Sequence, residues 1–172
     1  MTEPKVELKK ISFNERMSQE TNCFVADLYI NGVKVGEANN EGHGGPTDYH
    51  SNSLENDKLI KEAEAYCKAL PKVKSEELKF EYDNSLENVI DELLEAHLKA
   101  KDEAKRIKNY EKGICFGVPN GNSYQTVSWK GRTLAQVDKI SLQRAYDDIK
   151  AKYIKGNVVI LNTNLKALGV NL

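Results

Sequence analysis

Hydrophobic and polar positions alternate along the N-terminal stretch of the chain, which is the period-two pattern of half-buried strands. Val6, Leu8, Ile11 and Phe13 keep that period with one phase shift, which predicts a first strand over 5–13 carrying a bulge. A polar stretch, Asn14 to Thr21, ends it. Residues 22–30 are rich in strand formers, and Asn31-Gly32 separates them from the run 33–38. Two residues that tolerate positive φ between two such runs predict a tight antiparallel hairpin.

Farther along, the period becomes helical. Ser53-Leu54-Glu55-Asn56 and Ser85-Leu86-Glu87-Asn88 each offer a hydroxyl to cap exposed N–H groups and a carboxylate at the positive end of a helix dipole. The first helix runs to Leu70, before Pro71, with Leu59, Ile60, Ala63, Tyr66, Cys67 and Leu70 as its buried stripe. A short strand is expected within Leu78-Lys79-Phe80-Glu81-Tyr82. The second helix covers 85–112, and Leu86, Ile90, Leu93, His97, Ala100, Ala104 and Ile107 form a seam with a spacing near 3.5 that offers a contact for a homo-oligomer. Gly113 is expected to end it in the left-handed conformation.

Residues 114–118 and 124–129, joined by Pro119-Asn120-Gly121-Asn122, predict a second hairpin. A third helix over 141–155 places Leu142, Ala145, Tyr146, Ile149 and Tyr153 on one face, and Gly156 stops it. Val158 to Leu161 is a short apolar strand, followed by a last turn before Gly169. The order of elements gives an α+β fold, mainly antiparallel, with two β-hairpins packed against three helices, one of them long. At 172 residues a single domain over 1–172 is expected, its 22–38 hairpin packed against the helices near 54–70 and 141–155.

Charge changes this picture. Residues 1–98 carry 11 Lys+Arg and 20 Asp+Glu, a net of −9, while 99–172 carry 14 and 6, a net of +8; the sum is the overall −1. Part of the split follows from the long helix, acidic at Glu87, Asp91, Glu92 and Glu95 and basic at Lys105, Arg106, Lys108 and Lys112, as its dipole favours. The rest has two readings: an electropositive C-terminal surface suited to phosphate or to an acidic protein, with the acidic half as the alternative contact surface, or two halves that neutralise each other inside one fold. With 40% hydrophobic and 30% charged residues the composition is that of an ordered chain, and no apolar run approaches a membrane span, so no membrane partner is expected. Cys23, Cys67 and Cys115 are far apart in apolar-periodic segments, which suits buried reduced thiols. Met1 to Lys5 lead straight into a strand pattern without a basic-then-apolar prefix, so a cytoplasmic address is expected.

One stretch concentrates candidate chemistry: Asn39 to His50, with Gly42, His43, Gly44, Gly45, Asp48, Tyr49 and His50. Three glycines in four residues can expose successive N–H groups to an anion. The nucleotide-binding fingerprints themselves are absent, and a tight strand-to-helix connection is the competing reading. His43, Asp48 and His50 have metal-ligand chemistry without a recognised spacing, so neither a metal nor a cofactor is assigned. His97, on the helix seam, reads as a packed residue. Asp91-Glu92 and Asp147-Asp148 read as solvated helix faces. Trp129, Lys130 and Arg132, with Tyr124 at the start of the same strand, could stack on and neutralise a nucleotide or nucleic acid, or Trp129 could belong to the core. No nucleophile elbow or catalytic pairing is visible, and a binding role is expected.

The run Ile11 to Phe24, continued by Ala26 to Gly32, Gly42 to His50 and Ile160 to Leu165, resembles small proteins of phages and mobile elements of gut bacteria, a family without an assigned activity. The resemblance implies a phage-like accessory protein. By analogy with inhibitors of host defence, anti-CRISPR proteins among them, the expected partner is a host protein or protein–nucleic acid complex. The alternative is a protein that binds or sequesters a nucleotide through loop 42–50.

Overall fold

Asn31 and Gly32 take φ values of 51° and 81°, and the strands on either side of them pair as the hairpin requires. The computed structural model describes residues 2–75, 80–119, 121 and 123–172. Strands β1 (Val6–Phe13), β2 (Phe24–Ile30), β3 (Val33–Asn40) and β4 (Asp48–Ser51) form an antiparallel sheet in the order β1-β2-β3-β4. The expected phase shift in β1 is a bulge between Lys9 and Ser12, where Lys10 takes φ 51°. A second bulge in β3 sets Leu28 opposite Gly36 and Tyr29 opposite Lys34. The glycine fits there because a side chain at 36 would strike the His50 carbonyl of β4.

Along β2, Phe24, Ala26, Leu28 and Ile30 face inward and are almost fully buried. Helix α1 (Leu54–Ala69) covers them with Ile60, Ala63 and Cys67, and Leu86, Ile90 and Leu94 of α2 (Leu86–Lys112) complete this first core. Each large side chain buried here contributes about 1.5–3 kcal/mol. The Ser53 hydroxyl caps α1 by accepting from Asn56 N–H at 3.2 Å, and Leu70, extended before Pro71, ends it. Ser85 caps α2 in the same way through Asn88 N–H at 3.1 Å.

A two-stranded ribbon, β5 (Val73–Ser75) and β6 (Phe80–Tyr82), falls between the helices. Leu78 and Lys79 of the strand expected there lie outside the described residues, as do Asn120 and Asn122 of the second hairpin's turn. That hairpin is β7 (Gly113–Gly117) with β8 (Tyr124–Ser128); β9 (Val159–Ile160) joins it in the order β8-β7-β9. Helix α3 (Lys139–Lys152) is capped by Asp138, whose carboxylate accepts from Ser141 N–H at 2.9 Å. It packs Leu142, Tyr146 and Ile149 with Ile114 and Phe116 of β7, and with Leu134, Leu165 and Val170, in a second core. The fold is α+β: antiparallel sheets of four and three strands with three helices, one of 27 residues.

The chain divides into two compact units, Met1–Leu98 and Lys99–Leu172. Each has its own hydrophobic core, and α3 packs with β7 in the second. Three expectations are corrected. The apolar seam of α2 follows Leu86, Ile90 and Leu94 at intervals of four; His97, Ala100, Ala104 and Ile107 are exposed, and Leu93 is half-buried. Gly113 has no positive φ and opens β7, where a Cβ would stand 2.5 Å from Thr126 Cγ2 and 2.6 Å from the Val127 carbonyl oxygen. The stretch 48–51 is a strand rather than part of a connection, because it pairs with β3. Among the described residues no helix is long and apolar enough to cross a membrane.

Candidate functional site

Asn40, at the end of β3 and 7% exposed, organises the glycine-rich loop. Its Oδ1 accepts from Gly42 N–H and from the Thr21 hydroxyl, each at 2.8 Å. Its Nδ2 donates to the Gly45 carbonyl at 3.0 Å and to Thr47 Oγ1 at 3.3 Å. Gly44 N–H donates to Thr21 Oγ1 at 3.2 Å, and the Gly42 carbonyl accepts from Gln19 and Glu20 N–H at 2.9 and 3.2 Å. Gly42 and Gly44 take φ values of 87° and 86°, the conformation their residue type favours. The expected consequence does not follow: the N–H groups of Gly42 and Gly44 point at Asn40 and Thr21, so they do not converge on an anion.

The charge around the loop is also of the wrong sign for phosphate. Thr47 N–H donates to Glu87 Oε1 at 2.9 Å, and the Thr47 hydroxyl donates to Asp91 Oδ1 at 2.6 Å. Glu87, Asp91 and Glu95, spaced by four on α2, line a cleft of about 270 Å³ together with Thr21, Asn40 and Thr47. Burial pushes the Asp91 carboxyl above its ordinary range; the bond from Thr47 opposes this, and the Glu87 and Glu95 carboxylates add to it. Asp91 therefore belongs to a cleft wall and not to the solvated face expected of it. The four-residue spacing was visible in the sequence, but its partner Thr47 lies 44 positions away.

The other loop residues disperse. His43 is exposed, with Nδ1 3.4 Å from Gln19 Oε1, and Asp48 and His50 are exposed on β4. Tyr49, between them, packs against the first core and donates its hydroxyl to Glu64 Oε1 at 2.8 Å. Burial first, and then the bond to Glu64, holds its phenol well above the usual range. Among the described residues no group of three His, Cys, Asp or Glu is placed to hold a metal ion. Cys67 and Cys115 are buried and Cys23 is half-buried; all three are free thiols.

Trp129, Lys130 and Arg132 belong to the second unit and the glycine loop to the first. Trp129 is half-buried and packs against the second core, which is the core reading of that residue. Lys130 and Arg132 are exposed in a turn closed by Arg132 N–H donating to the Trp129 carbonyl at 3.1 Å. Lys105, Lys108 and Lys112 of α2, and Lys139, Arg144, Lys150 and Lys155 in and after α3, are exposed in the same unit. Comparison with known proteins finds no matching family model, curated sequence or solved structure.

Proposed function

We propose that this chain is a non-enzymatic binding protein, a phage-like accessory factor that captures and inhibits a component of host defence through its basic unit. One observation carries the reading. The charge changes sign where the chain divides: 11 Lys+Arg against 20 Asp+Glu lie in Met1–Leu98, and 14 against 6 in Lys99–Leu172. Charges of net −9 and +8 that belong to separately cored units leave each unit with a surface of predominantly one sign. A surface of one sign steers a partner of the other and raises its association rate.

Nucleotide capture by loop 42–50 is not carried forward, because the Gly42 and Gly44 N–H groups are engaged and the adjoining cleft is acidic. The test of the binding reading is capture of a partner from host lysate by the full chain, with Lys130→Glu/Arg132→Glu as the comparison. An acidic partner retained at physiological salt and released by charge reversal supports it. Equal retention by both proteins moves the contact elsewhere, and retention by neither removes the reading.

A further inference from the structure

The second unit contains a groove of about 230 Å³ between α3 and β9, walled by Tyr146, Lys150, Ile154, Val159 and Ile160, with Asn162 and Leu172 completing its lining. Its lining is mostly apolar, and Lys150 is its cation. The Lys150 Nζ lies 5.4 Å from the centroid of the Tyr146 ring, so the ammonium is held at the groove wall by an aromatic face.

Among the described residues the strand along this groove, β9, is an edge of its sheet. Leu161 N–H donates to the Cys115 carbonyl at 2.9 Å, while Phe116 stands opposite Ile160 and Gly117 opposite Val159. In an antiparallel ladder this register makes Phe116 and Ile160 a non-hydrogen-bonded pair. The N–H and C=O of Ile160 therefore point away from β7, to the outer edge. An unpaired donor and acceptor on an edge strand form a template for an added strand, and pockets beside the edge select its side chains.

We propose that this groove receives an extended acidic segment of a partner protein as an added strand on β9. The segment's backbone bonds to Ile160, an apolar side chain enters between α3 and β9, and a carboxylate meets Lys150. This rests on the reading that the basic unit contacts the partner, and it adds how the partner is held. The net charge of 14 − 6 = +8 on residues 99–172 and the placement of Lys150 fix the sign of the occupant.

The experiment uses the full chain and capped, fluorescein-labelled peptides of the repeat Val-Thr-Glu-Thr, the Glu-Val peptide, whose Val and Glu share one face of an extended strand. The same peptide with Lys for Glu, and one N-methylated at its valines, serve as comparisons. Fluorescence anisotropy gives affinity, and amide exchange at Ile160 gives position. The Glu-Val peptide is expected to bind and to slow Ile160 exchange. Lys150→Glu, at an exposed position that leaves the core intact, is expected to weaken it about tenfold or more, and N-methylation to weaken it similarly. Absence of binding at about 1 mM, equal binding of the Lys-Val peptide, or affinity unchanged by Lys150→Glu or by N-methylation overturns the proposal. Partner capture that Lys130→Glu/Arg132→Glu abolishes and Lys150→Glu leaves intact overturns the groove alone; wild-type capture of nothing removes the binding reading, and the peptide result still decides the groove.

Discussion

The Thr47 hydroxyl donates to Asp91 Oδ1 at 2.6 Å while the same oxygen accepts from Asn40 Nδ2 at 3.3 Å, so one side chain ties the end of β3 to the face of α2. Thr47→Val keeps the shape and removes both bonds. Asp91 then lacks that donor beside Glu87, and the first unit is expected to lose about 1–3 kcal/mol, read by urea denaturation followed by circular dichroism. Asp91→Asn keeps an acceptor for Thr47 and removes a charge from a crowded acidic cleft. It is expected to leave stability unchanged or raised at pH 7.

Asp91 and Asp27 are expected to respond to pH with opposite sign. Lys34 at 2.6 Å and Lys10 at 3.2 Å hold the Asp27 carboxyl below its ordinary value of 3.8. That stabilisation is present above 3.8 and is lost as pH falls through the depressed value. The raised Asp91 carboxyl favours the fold below 3.8, and this is lost as pH rises through its folded value. Denaturation at pH 7 and at about pH 3 checks the signs. The penalty of Asp27→Asn is expected to shrink on acidification, and any gain from Asp91→Asn is expected to vanish there.

Gly42 and Gly45 sit in one loop with different constraints. A Cβ on Gly42, at φ 87°, meets the Met17 carbonyl oxygen, whereas one on Gly45 meets nothing within 4 Å. Gly42→Ala is therefore expected to cost upwards of about 1–3 kcal/mol and Gly45→Ala to stay within about 0.5 kcal/mol, by thermal denaturation. A Gly42→Ala protein as stable as the wild type contradicts the assigned backbone conformation.

Asn162 holds the end of α2 to β7. Its Oδ1 accepts from Cys115 N–H at 2.6 Å, and its Nδ2 donates to the carbonyls of Tyr110 and Gly113 at 3.1 and 3.0 Å. Asn162→Leu leaves the Cys115 N–H without its acceptor, while the Tyr110 carbonyl keeps the bond from Asn164 Nδ2 at 3.0 Å, and is expected to cost about 1–3 kcal/mol. Trp129, the single tryptophan and packed on the second core, reports the loss through its fluorescence transition.

The features legible in the sequence were those whose cause is local. The Asn31-Gly32 turn and the caps at Ser53 and Ser85 depend on neighbours within four residues, and all three formed as expected. Strand β4 was missed because Asp48 to Ser51 have no strand composition; their state comes from pairing, as of Tyr49 with Ala38. In α2 the 3.5 spacing led to Leu93 and His97, while packing selected Leu94, four residues after Ile90. The loop shows the same division. Positive φ at Gly42 and Gly44 follows from residue type, but where their N–H groups point is decided by Asn40 and by Thr21, 19 positions before it. The groove beside β9 left no sequence signal, since Lys150 and Ile160 become neighbours only through the register of β9 on β7.

The most direct test of the binding role is the association rate of the captured partner with the purified full chain, measured as ionic strength rises from about 50 to 300 mM, alongside Lys130→Glu/Arg132→Glu. A wild-type rate that falls steeply with salt, and a variant that starts about tenfold slower with a flatter dependence, is the expected result. Salt-independent association, or identical rates for the two proteins, contradicts capture through the basic unit.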